Sequence, residues 1–145
     1  YNSAKKSFVT GDFNWETATE KWKAMLVTGY TADPESVYVS TIVSKEADGA
    51  GYTGGPGGSG RLIVSGRLAT LDAATDKIFI DADDLIWRSI NAGIISGIVF
   101  IWEESDVDDS ANILMSYING GGFPVSTNGG DLTISWTASG IINVA

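Results

Sequence analysis

DKIFIDADDLIWRSINAGIISGIVFIW, residues 76–102, is the longest run of the chain in which apolar, β-branched and aromatic residues dominate. It breaks into three pieces, 77–81, 85–90 and 94–102, separated by Asp81-Ala82-Asp83-Asp84 and by Asn91-Ala92-Gly93. Short apolar runs bounded by Asp, Asn and Gly read as strands, and three in succession predict a β meander. Upstream, residues 61–71 read as a strand bent at Gly66, joined by the turn Asp72-Ala73-Ala74-Thr75-Asp76 to 77–81 as a hairpin. Downstream, 113–118, 123–126, 131–137 and 141–144 read as further strands, with Pro124 suiting an edge. Turns fall at 119–122, at 128–130 and at Ser139-Gly140. The cleanest alternation sets Leu132, Ile134 and Trp136 against Thr133, Ser135 and Thr137.

Nearer the start, residues 21–28 alternate Trp22, Ala24 and Leu26 with Lys21, Lys23 and Met25, after a polar turn at 16–20. Asn2 or Ser3 caps a short helix over 3–10, in which Ala4, Phe8 and Val9 share helical spacing before Gly11. Two turns are marginal alone, so this helix is expected to dock through Phe8. Residues 37–43 have the β-branched content of a strand, but Val39, Ile42 and Val43 fit one helical face, and a short helix is preferred. The fold class expected is all-β: an antiparallel β-sandwich or jelly-roll-like domain with a short N-terminal helix. One β domain spans 1–145, with an arm at 1–15 and a flexible Gly-rich loop at 48–60. The expected core is Trp22, Leu26, Leu62, Val64, Ile78, Ile80, Ile98, Phe100, Leu132, Ile134 and Trp136.

Composition narrows function. The 145 residues suffice for one domain and bury a sizeable core without a staple. There is no Cys and no His. That removes disulfides, thiolate ligands, the Cys nucleophile and the commonest general base. A net charge of −9 repels nucleic acid and anionic membranes, so neither is an expected partner. No apolar run reaches transmembrane length. The start, YNSAKKSF, has no apolar core of a signal peptide and no initiator Met, and reads as a processed or truncated end.

The constellations that could carry chemistry are thin. Gly49-Ala50-Gly51-Tyr52-Thr53-Gly54 matches GxGxxG, but Pro56 and more Gly follow where dinucleotide binding needs a helix. Asp81, Asp83 and Asp84 could offer oxygens to Ca²⁺, though Asp in turns ordinarily caps backbone amides. Glu103, Glu104, Asp106, Asp108 and Asp109 read as a solvated acidic loop. No GxSxG is present, and no His could serve as base for a Ser. The five Trp, at 15, 22, 87, 102 and 136, read mainly as core. Neither catalysis, a cofactor nor a metal is expected.

Several motifs together resemble a family of small tailed-bacteriophage virion structural proteins. Ala4-x-x-x-Phe8-x-x-Gly11 precedes Trp15 and a strand ending in Leu26-Val27. Asp72-Ala-Ala-Thr75 leads to Asp81-Ala-Asp-Asp84-x-x-Trp87, and Leu132-Thr-Ile-x-Trp136-x-x-x-Gly140-Ile141 closes the chain. Residues 37–60 depart most from the family pattern. The resemblance implies a capsid decoration (cement) protein on the capsid surface of the virion, assembled in the host cytoplasm. Its implied partners are the major capsid protein and itself, as a homotrimer. The alternative is a tail or adhesion protein that binds a host surface glycan. Lys5, Lys6 and Phe8 in the N-terminal arm, and Tyr52 in the Gly-rich loop, are the candidate partner-binding residues. That loop is also the candidate adaptor between non-identical capsid positions.

Overall fold

A computed structural model describes residues 1–17, 20–74, 76–137 and 140–144. Ala18 and Thr19 of the first expected turn, Thr75 of the hairpin turn and Ser139 of the last turn lie outside the described residues. The chain is all-β, with antiparallel sheets and one short N-terminal helix, α1 (Asn2–Thr10). The strands are β1 (Trp22–Val27), β2 (Leu62–Ile63), β3 (Leu68–Asp72), β4 (Lys77–Asp81), β5 (Leu85–Trp87) and β6 (Ile94–Ile95). β7 (Gly97–Trp102), β8 (Ile113–Ile118), β9 (Val125–Ser126), β10 (Leu132–Ile134) and β11 (Ile142–Val144) follow.

The central sheet has the order β2-β1-β7-β8. β1 and β7 pair over their full lengths, from Trp22 opposite Trp102 to Val27 opposite Gly97. Both strands are buried on both faces, which is why GIVFIW reads as a continuous apolar run rather than an alternation. Trp22, Ala24, Leu26, Ile98 and Phe100 enter one apolar cluster, and Met25, Val27, Val99 and Ile101 enter another across the sheet. Met25, on the side of β1 that also carries Lys23, is therefore fully buried. Only Lys23 keeps a polar end there, as an ion pair with Glu103. The second cluster is closed by Tyr30, Val39 and Ile42. Residues 37–43 form neither a strand nor an α-helix. Two single-turn 3₁₀ segments, Val39–Thr41 and Val43–Lys45, turn Val39 and Ile42 inward and leave Val43 outside.

The three pieces of 76–102 do not form a meander. β4 lies between β11 and β3, β5 pairs with β10, and β7 lies between β1 and β8. The linkers explain this, because each is hydrogen-bonded to remote chain. Asp83 N–H donates to Ser65 O at 2.9 Å, and the Asp84 carboxylate takes the Trp136 N–H at 3.2 Å and the Ser135 hydroxyl at 2.8 Å. Asn91 N–H donates to Ala50 O, and Ala92 N–H to Thr127 Oγ1, both at 2.8 Å. The hairpin β3–β4 does form, with Leu68 opposite Asp81 and Asp72 opposite Lys77. The expected strand over 61–71 is split at Gly66, whose φ of 60° sends β2 and β3 into different sheets.

Of the expected core, Trp22, Leu26, Val64, Ile98 and Phe100 are fully buried, and Leu62, Ile80, Leu132, Ile134 and Trp136 pack against it partly exposed. Ile78 is corrected. It lies beyond the core toward the hairpin tip and is 42% exposed.

Candidate functional site

The N-terminal arm is pinned at one end. The Tyr1 and Tyr30 hydroxyls share a hydrogen bond of 2.6 Å, Tyr117 OH donates to Tyr30 O at 3.0 Å, and Asn2 N–H donates to Pro34 O at 3.0 Å. Gly11, in the left-handed region at φ 77°, ends the helix with its N–H on Phe8 O. Between these ends the inward residue is Ala4. Phe8, expected as the anchor, is instead 40% exposed and stacks on Trp22 with ring centroids 5.9 Å apart. Lys5 and Lys6 are exposed.

A small residue at the buried helical position, with bulky rings nearby, keeps α1 from closing onto the sheet. A cavity of about 460 Å³ remains beneath it. Trp15, Trp22 and Phe100 form one wall, with Trp15 edge-on to Trp22 at 4.9 Å and to Phe100 at 6.2 Å. The helix contributes Lys5, Phe8 and Val9, while β8 contributes Met115 and Ser116. Ser116 Oγ is buried and meets no hydrogen-bond partner among the described residues.

Ile80 of β4 also lines this cavity, and from there an apolar surface continues outward. Ala69 lies opposite Ile80, and Leu71 opposite Ile78 at the hairpin end. Leu71 is 69% exposed. β3 is the edge strand of its sheet, and Glu16 blunts it by accepting the Ala69 N–H at 2.9 Å. Lys5, Lys6 and Lys77 border these apolar residues. None has a carboxylate within ion-pair distance among the described residues.

The Gly-rich segment differs most from expectation. Tyr52 is 1% exposed and unavailable to a partner. Its hydroxyl accepts the Leu26 N–H at 3.0 Å and donates to Glu46 at 3.3 Å, filling a gap beside β1. A Cβ on Gly60 would sit 2.5 Å from the Tyr52 ring, so the glycine is there for close packing. The loop is bonded to its surroundings, with Ala50 O accepting the Asn91 N–H and Glu46 accepting the Gly55 N–H. Next to it Arg61, with no exposed side-chain surface, forks onto Glu46 at 2.7 and 2.9 Å and onto Asp109 at 2.7 and 3.0 Å. Glu103 accepts a further bond at 3.3 Å. Glu103 and Asp109 were expected in a solvated loop, but both are buried as counter-ions. These charge-assisted bonds hold the Arg61 guanidinium protonated, outweighing the burial that opposes it. Burial and the Glu46 charge push the Tyr52 phenol well above its usual range.

No protein-family model, no curated protein and no solved structure matches this chain.

The remaining polar groups have structural tasks. Asp81 caps the Ala82 N–H at 3.0 Å, and Asp83 accepts from Ser65 Oγ at 2.9 Å. The Asp83 bond and those to Asp84 tie this turn to remote chain, and no group of three acidic side chains among the described residues is arranged to hold a metal ion. Trp15, Trp22 and Trp87 are buried, and Trp102 and Trp136 are half-buried. No helix among the described residues is long and apolar enough to cross a membrane.

Proposed function

We infer that the chain is a non-catalytic structural component of a bacteriophage virion, of the capsid-decoration type. One observation carries the reading. The exposed apolar surface from Phe8 and Val9 through Ile80 to Leu71 and Ile78 is bordered by unpaired lysines in a chain of net charge −9. Contiguous apolar surface rimmed by polar groups marks a protein contact. The motifs that resemble those of small virion structural proteins point the same way, as does the use of the buried ionisable groups in packing.

The action follows from mass action. A protein that binds the assembled shell and not its separated subunits shifts the equilibrium toward assembly. A contact of about 800 Å² per partner is the standard size for a stable interface. Three copies about a threefold axis would gain further by avidity. In this reading the hairpin and helix supply the contact surface. Lys5 and Lys6 would meet acidic groups of the capsid protein.

Shells purified with and without the protein test this under heat and low ionic strength. Decorated shells should survive conditions that open bare ones, with copies spread over the whole shell. Equal survival, or location at the tail alone, refutes the decoration reading and favours a tail or adhesion protein.

A further inference from the structure

We propose that the cavity beneath α1 is a binding site for a small amphiphile with an apolar body and one carboxylate, of the medium-chain fatty-acid class. This goes beyond shell attachment and does not depend on it. At about 460 Å³ the cavity falls within the range of ligand pockets, which are mostly apolar with a few polar groups that fix orientation. Its lining follows that pattern. Trp15, Trp22, Phe100 and Met115 offer apolar walls, and the polar side chains without an internal partner are Lys5 and Ser116. Tyr1 also lines it, but its hydroxyl is taken by Tyr30.

The two free polar groups decide the ligand's chemistry. Lys5 supplies a cation with no carboxylate of its own, in a chain where acidic groups outnumber basic ones by two to one. Ser116 supplies a hydroxyl donor whose burial without a partner is unfavourable. A carboxylate satisfies both, because it carries the opposite charge and only accepts hydrogen bonds. The pins at Tyr1 and Asn2 hold one end of α1, and Phe8 at the other end stacks on Trp22 over the cavity.

The experiment titrates the protein with decanoate, decanol and decyltrimethylammonium below micelle formation, read by calorimetry and by the fluorescence of Trp15 and Trp22. Decanoate should bind one to one and more tightly than either of the others. Lys5→Glu should weaken decanoate about fivefold or more, Ser116→Ala about threefold, and Lys5→Glu should leave decanol unchanged. Ala4→Leu, which adds bulk to the cavity, should weaken decanoate and decanol together. Lys5 is a surface residue, so its variant keeps the test decisive if Ala4→Leu fails to fold. The proposal is overturned if decanoate does not bind saturably. It is equally overturned if the cationic or neutral probe binds as tightly, or if Lys5→Glu leaves decanoate affinity unchanged.

Discussion

Replacing Arg61 with Met should destabilise the protein by about 3–5 kcal/mol, the range for stripping one partner from a buried ion pair. The reason lies in what is left behind. Glu46 and Asp109 each lose a two-pronged contact, Glu103 loses a third, and Lys23 is the cation that remains for the group, through Glu103. The apolar Met stem recovers some packing but none of the charge. For 145 residues, an unfolding entropy of about 2.1 cal/mol/K per residue makes 1 kcal/mol worth roughly 3 °C, so the melting temperature should fall by about 10–16 °C. The assay is thermal unfolding by circular dichroism, with urea unfolding as a check on the free energy. A triple variant, Arg61→Met with Glu46→Gln and Asp109→Asn, removes the stranded charges and should recover part of the loss. If Arg61→Met melts within about 2 °C of the parent, or the triple variant is less stable than the single one, the reasoning about stranded buried carboxylates is wrong.

The phenol of Tyr52 stays protonated in the fold to a pH where the unfolded chain's tyrosines ionise, near 10. Above that pH the folded state holds more protons than the unfolded one, so stability should be intact below pH 10 and fall as pH rises further. Tyr52→Phe should flatten that alkaline limb while costing about 1–3 kcal/mol at neutral pH, since it strands the buried Leu26 N–H; an unchanged alkaline limb in urea titrations would contradict the assignment. Trp136→Ala should cost less than Trp22→Ala, which should reach about 3–5 kcal/mol, because Trp22 is fully buried and Trp136 is not; equal losses in melting experiments would contradict the burial pattern. Leu71→Asp and Ile78→Asp should change stability by less than about 1 kcal/mol yet reduce attachment to shells in a sedimentation assay, and full attachment would move the contact elsewhere. Deleting residues 1–10 should weaken attachment, with near-ultraviolet dichroism showing the β core retained.

What the sequence revealed and what it hid divide along a physical line. Strand existence was legible wherever an element's own residues decide it. β1, β4, β8 and the hairpin β3–β4 fall where period and turn chemistry put them, while the run 94–102 divides into β6, paired with β9, and β7, paired with β1 and β8. Partner choice was not legible, because it is decided by the linkers. Nothing local in Asp81-Ala82-Asp83-Asp84 announces that Asp84 will hold Trp136, more than fifty residues on, and so pull β5 to β10 instead of β4. Period 2 also understates burial in a central strand. Met25 alternates with Lys21 and Lys23, yet a second apolar cluster waits for it.

The same line runs through the candidate site. Glycine density at 48–60 suggested freedom, but glycine also permits close approach, and only the position of the Tyr52 ring distinguishes the two. The buried ion cluster left one faint trace. Arg61 is the first cation after a long uncharged segment, and the acidic run at 103–109 has no nearby basic residue to balance it. Lone charges beside apolar strands must either face solvent or find each other across the fold. At Arg61 they found each other, and Tyr52 and Gly60 of the adjoining loop are buried beside them. Exposed apolar groups remain at α1 and the β3–β4 hairpin, among them Phe8, Val9, Leu68, Leu71 and Ile78. A contact surface is therefore to be sought on those two elements and not on the loop.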